Sequence, residues 1–377
     1  MRKTITRLMA TLLCLSMLLV PVQAAQSNNI DQQVSETSAG LSALDGKTGA
    51  LLGKGEDFPA GTSVCDWTAM ALALTGSAED YDGYLQDLED YVETCYALNG
   101  GLDRVKSTTY HRIALVVLAL GGDPESFGTK NDGTAIDLIA DGTYAFAGSS
   151  IGAQGLNGWI YSLLALDASG VVVPENAKFT REDMIYAIVT AQEPDGGFGL
   201  VGGKSDVDIT AMALQALAPY QQAHPEVIEA GLAYLSGAMN DSCRFTAYGE
   251  ESAESSAQVI LALCALGIDP DTDSRFVRGN QTLLVGLDVF RQEDGTYGHT
   301  KEDVQGNYLA TAQTLLALKA VQKLRSGDGW IFDFANYEGP QQKTQHGITY
   351  AAIGFAVILI ICIVIAGKRK KHGKNNG

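Results

Sequence analysis

A repeated apolar segment ending in Ala-Leu constrains the fold most strongly. It occurs six times, as Asp66–Leu74, Tyr110–Leu120, Trp159–Leu166, Asp208–Leu217, Ser256–Leu266 and Thr311–Leu318. The closing leucines, Leu74, Leu120, Leu166, Leu217, Leu266 and Leu318, stand 46, 46, 51, 49 and 52 residues apart. A period of roughly 50 residues marks a repeat architecture, in which each unit buries its apolar face on its neighbours. The segments are rich in alanine and apolar nearly all round, the pattern of a buried, closely packed helix. Between them lie stretches with one polar face, such as Tyr81–Val92 and Glu182–Val189. Glycine and proline punctuate the connections at Gly121–Pro124, Pro194–Gly197, Asp269–Pro270 and Glu293–Gly295. No long strand-period alternation interrupts this order. The expected fold class is all-α: an (α/α)6 toroid of six helix pairs, apolar helices inside and amphipathic ones outside. An open solenoid of the same pairs is the alternative.

The two ends carry different signals. Arg2, Lys3 and Arg7 flank the start of an apolar run, Leu8–Val20, and Val22, Gln23 and Ala24 form a small-x-small cleavage pattern. Residues 1–24 therefore read as a signal peptide. Ile348–Ala366 is 19 residues without a charge, enough to cross a hydrocarbon core of about 30 Å. Lys368, Arg369, Lys370, Lys371 and Lys374 follow, a cluster that belongs on the cytoplasmic side. The expected organisation is a signal peptide (1–24), an extracellular toroid with a short stalk (25–345), a transmembrane helix (348–366) and a basic cytoplasmic tail (367–377). The expected location is the cell membrane, single-pass, with the N-terminal domain outside.

The formal net charge is −18, and the two ends hold eight basic residues and no acids, which leaves −26 on residues 25–345. Such a surface repels nucleic acid and anionic headgroups. Four cysteines lie in that region, Cys65, Cys95, Cys243 and Cys264, at spacings that match no metal motif. Cys65 and Cys95 are placed to meet at one end of a helix pair, and whether they bond is left open.

In a toroid the inner helices run parallel, so their N-termini collect around one mouth, with unpaired N–H groups and positive dipole ends pointing there. Residues seven to twelve before each terminal leucine are expected to line it: Asp66, Trp67, Tyr110, His111, Asn157, Trp159, Asp206, Asp208, Glu254, Asn307 and Tyr308. Aromatic walls with a few polar groups suit a small-molecule pocket. The competing reading is that Asp and Asn cap helices and the aromatics fill core. No metal site is expected.

Two segments carry a family resemblance. Gln192–Gly199 and Gln292–Gly298 resemble the Gln…Asp-Gly-Gly-Phe/Trp-Gly turns of prenyltransferase and squalene-cyclase repeats. The resemblance implies a terpenoid cyclase-like toroid, a fold that also serves complement-type thioester domains and the cobalamin carriers transcobalamin and intrinsic factor. Ser205–Ala213 resembles the Asp-x-Asp-Asp-Thr-Ala motif of class II terpene cyclases. By that resemblance Asp208 is the catalytic acid and Asp206 its neighbour, with Ile209 at the third acid. Asp208–Ala213 is also similar to the Asp-Thr-Ala-Ala-Met-Ala stretch of the cobalamin carriers, whose toroid mouth bonds corrin amides beneath a β-rich domain. Thr109–Ala114 and Gly267–Pro270 resemble bacterial surface proteins of this repeat type. The zinc ligands of protein prenyltransferases are not matched: Asp208 stands at the cysteine and Tyr308 and Leu309 where a histidine would be.

The expected function is a membrane-anchored extracellular protein that binds a small ligand without catalysis or a catalytic cofactor. A corrinoid (cobalamin) is the expected cargo, captured with a separate β-domain surface protein and passed to a transporter. The alternatives are a class II terpene cyclase-like enzyme using Asp208 as acid, and a surface scaffold for protein–protein interaction.

Overall fold

The computed structural model describes residues 30–46, 50–247 and 249–340. The expected signal peptide, membrane span and tail lie outside the described residues. Among those described, no helix is long and apolar enough to cross a membrane.

Among the described residues, twelve α-helices follow one another: α1 (residues 30–42), α2 (Ser63–Thr75), α3 (Tyr81–Asn99), α4 (Thr108–Ala119), α5 (Leu138–Gly142), α6 (Leu156–Ser169), α7 (Arg181–Thr190), α8 (Val207–Leu217), α9 (Pro225–Ala238), α10 (Ala253–Ala265), α11 (Leu283–Leu287) and α12 (Tyr308–Ser326). A two-residue hairpin, β1 (Thr246–Ala247) with β2 (Glu250–Glu251), precedes α10. The even-numbered helices are the six alanine-rich segments. Each packs on the next, and α12 packs back on α2. The inner ring is therefore closed, and the open solenoid is excluded.

The ring closes because its staves are thin. Ala69, Met70, Ala71 and Leu72 of α2 are all fully buried, and alanine at such positions lets neighbouring helix axes approach to about 8–10 Å. A larger side chain there would overpack the seam, at a cost of about 1–3 kcal/mol. The odd helices stand outside, and α1 seals the join between the first and last repeats. Its Asp31 accepts a hydrogen bond from Gln322 of α12 at 2.7 Å, and its Glu36 pairs with Arg291.

The two resembling turns are built alike. Phe198 N–H donates to Thr210 Oγ1 at 2.8 Å, and Tyr297 N–H donates to Thr311 Oγ1 at 2.9 Å. Each turn is thus pinned to the inner helix that follows it, and its aromatic ring is buried. Gly196 turns at φ +87°, where a Cβ would stand 2.5 Å from the Ala230 carbonyl oxygen, so only glycine fits.

Residues 328–340, expected as part of a stalk, instead pack on the ring at the C-terminal ends of the inner helices. Trp330, Phe332, Phe334 and Tyr337 form a chain of ring contacts 5.4–6.5 Å apart. Trp330 lies beside Ala218 and Ala265, just past α8 and at the end of α10. The Tyr337 hydroxyl donates to the carbonyl of Ala119, the last residue of α4. This aromatic strap crosses the end opposite the N-terminal mouth.

Candidate ligand site at the mouth of the ring

Five of the six inner helices send side chains from their first two turns into a cavity of about 360 Å3. Trp67 comes from α2 and Tyr161 from α6. Asp208 and Met212 come from α8, Ser255 and Gln258 from α10, Leu309 and Gln313 from α12. Asp208 with Met212, and Leu309 with Gln313, are spaced i, i+4, so each pair shares one helix face. Ala247 and Glu250 of the hairpin, Ser252 and Glu254 at the start of α10, and His299 from the loop before α12 complete the rim. The size falls within the range of small-molecule sites, about 300–1,000 Å3.

One wall is aromatic: Trp67 and Tyr161 meet edge to face at 6.3 Å. The Tyr161 hydroxyl donates to Met212 Sδ at 3.1 Å. The floor is a chain of amides. Gln215 Nε2 donates to Gln258 Oε1 at 2.9 Å, and Gln258 Nε2 donates to Gln313 Oε1 at 3.2 Å. Glu254 Oε2 is 2.8 Å from His299 Nδ1.

Asp208 is the unusual group. Its Oδ1 is sealed from solvent and has no hydrogen-bond partner. Burial pushes its carboxyl up to about 6, the Asp206 and Glu254 charges push the same way, and the Ser255 hydroxyl and His299 oppose them. Burial and the nearby Asp208 charge also raise the Tyr161 hydroxyl. Among the described residues, no three His, Cys, Asp or Glu side chains are grouped to hold a metal ion.

No protein-family model matches this chain, and no curated protein matches it. Among solved structures, it is similar to the type II terpene cyclase MstE from Scytonema, an arginine-to-alanine variant in complex with its substrate geranylgeranyl dihydroxybenzoate. The identity is 14%, the TM-score 0.46, and the likeness covers 80% of this chain and 99% of that one. The closed ring described above rests on the helix contacts themselves.

Of the residues expected at the mouth, the cavity gathers Trp67, Asp208 and Glu254. Asp66 is fully buried and faces the seam between α2 and α4. It accepts from Arg112 Nε at 2.8 Å, Tyr84 hydroxyl at 2.7 Å and Gly61 N–H at 2.9 Å. Burial pushes its carboxyl up, and those three donors pull it back. The Tyr110 hydroxyl accepts from Leu102 N–H, and the residue lines a separate cleft with Tyr96, Lys130 and Asp141. His111 is buried with Nε2 2.6 Å from the Gly142 carbonyl. Burial pushes its ring down to about 4, so it is neutral at physiological pH.

The others serve packing or caps. Trp159 sits edge-on to Phe179 at 5.6 Å, and Tyr308 edge-on to Phe58 at 5.5 Å. Asp206 caps α8 by accepting from the Asp208 and Ile209 N–H groups, and Asn307 caps α12 through Ala310 N–H. Asn157, on the first turn of α6, keeps its Oδ1 buried without a partner. Sequence reasoning missed Tyr161, Met212 and Gln313. All three stand five residues before the terminal leucine of their helices, a register that superposing the repeats exposes. The four cysteines are unpaired thiols, so the structure contains no Cys65–Cys95 disulfide.

Proposed function

We propose that this chain is a membrane-anchored extracellular receptor that holds a small polar ligand in the mouth of its toroid. The observation that supports this reading is the cavity itself, with an aromatic wall, an amide floor and a buried carboxylate oxygen that no protein group satisfies. Buried polar atoms are almost always hydrogen-bonded. The Asp208 side chain lines the cavity with its unbonded oxygen just beneath the wall, where a small shift of the carboxylate would offer it to a partner that arrives from outside. A corrinoid is a plate wider than this cavity. It would rest across the rim with one amide arm inserted, and a separate β-domain partner would cover it before transfer to a transporter.

The experiment is a thermal-shift titration of the full chain in detergent against small polar metabolites and cobalamin. A ligand that binds the folded state alone raises the melting temperature. Trp67→Ala should reduce that rise. If no compound raises the melting temperature, the receptor reading fails.

A second reading is favoured by one observation, the Asp208 carboxyl raised to about 6. A carboxylic acid that keeps its proton near neutrality suits general acid catalysis, as the terpene-cyclase alternative requires. The lining opposes it. Glu250, Glu254, Gln258, Gln313 and His299 surround the same space and would capture or deprotonate a carbocation. Incubation with squalene or polyprenyl diphosphates decides: turnover lost in Asp208→Asn supports the enzyme, and no turnover removes it.

A further inference from the structure

Resting on the receptor reading, we propose that the mouth cavity recognises an organic ammonium group, a protonated or quaternary amine carried by a small polar molecule. Three carboxylates face the cavity, Asp208, Glu250 and Glu254, with no lysine or arginine among the described lining residues. The one basic ring, His299, is already engaged with Glu254. Arg244 and Lys301 on the flanking loops pair with Glu251, which is not part of the lining. Asp208 therefore lines the cavity with one oxygen that no group bonds, and its neighbours of opposite effect are only the Ser255 hydroxyl and the His299 ring that Glu254 already engages.

A buried carboxylate is costly until a counter-charge reaches it. The same lining offers what an ammonium group needs besides a carboxylate. Trp67 and Tyr161 supply aromatic rings to the lining, a residue type that attracts cations, and Met212 adds a polarisable apolar contact. The amides of Gln258 and Gln313 remain for neutral hydroxyl or carbonyl groups elsewhere on the ligand. An anion would meet three like charges. The net −26 of residues 25–345 also draws cations toward the surface.

Binding should depend on pH in one direction. The ionisable groups facing Asp208 are Asp206 on its own helix, Glu254 on α10, His299 on the loop before α12 and Tyr161 on α6. A cation favours the ionised carboxylate, so affinity should rise as pH passes upward through about 6 and then level off.

The test compares charged probes with neutral partners of the same shape on the full chain in detergent by calorimetry: choline against 3,3-dimethyl-1-butanol, and glucosamine against glucose. The expected result is that a charged member binds at least about tenfold tighter than its neutral partner. Asp208→Asn should erase that preference and flatten the pH dependence, and Trp67→Leu should weaken the cation by about fivefold. Glu254→Gln, at a half-buried position, supplies a second variant if Asp208→Asn fails to fold. Neutral partners that bind as well as the cations would overturn the ammonium assignment and leave the receptor reading standing. No charge-dependent binding by any probe also overturns it, and the metabolite titration above then decides the receptor reading separately.

Discussion

Asp66 and Asp208 stand in the first turns of two inner helices, α2 and α8, and their surroundings are opposite. Asp66 is fully buried and receives hydrogen bonds from a guanidinium, a phenol and a backbone N–H. Asp208 reaches the ring axis and keeps one sealed oxygen without a donor. The difference is one of rotation about the helix. Successive residues differ by roughly 100°, so Asp66 faces the α2–α4 seam while Trp67 faces the hole. On α8 the acid itself faces the hole. One aspartate is neutralised by the protein and holds two staves together. The other keeps one oxygen without a donor and a carboxyl that burial raises to about 6.

Substitutions at the two sites test that contrast, with unfolding of the full chain as the readout. The largest effect is expected for Arg112→Ala, which strands Asp66 as a buried charge and should cost about 3–5 kcal/mol. A loss below about 1 kcal/mol would mean that the pair does not hold the seam. Tyr84→Phe removes one hydrogen bond to the same carboxylate and should cost about 1.5–3 kcal/mol. An unchanged melting temperature would argue against the network.

Asp208→Asn should act in the other direction. The folded-state carboxyl is raised to about 6 from an ordinary 3.8. The folded chain therefore holds a proton that the unfolded chain has lost between those values, and wild-type stability falls as pH rises through that window. The variant should be more stable than wild type at pH 7 by about 1–2 kcal/mol, the shift discounted for the solvent that reaches the side chain. The advantage should vanish below pH ~4. Destabilisation at pH 7 would show that the protein does satisfy Asp208. The smallest effect belongs to His299→Ala, whose ring is half exposed beside Glu254. It should change stability by less than about 0.5 kcal/mol, and a larger loss would make that pair structural.

Much of the ring was legible in the sequence because alanine and leucine recur with both helical and repeat periods. The direction of the inner helices, and hence the end that bears the mouth, followed from the same pattern. The rotational phase did not. Neighbours such as Asp66 and Trp67, or Tyr308 and Leu309, are equally near the mouth along the helix but face different ways, so the span of sequence that reaches the mouth names both. The single-turn outer helices α5 and α11, five residues each, are too short for a polar-face pattern to register. The strap escaped notice for a different reason. Gly327, Gly329 and Gly339 punctuate it like a linker, yet its aromatics bury themselves against the ring.

The most direct measurement is the titration of Asp208 itself, by carboxyl carbon NMR of aspartate-labelled protein, with the signal assigned by its loss in Asp208→Asn. A carboxylate buried at the cavity wall with one oxygen unbonded should titrate near 6, and a midpoint near the ordinary 3.8 would mean that water or further protein donors satisfy that oxygen.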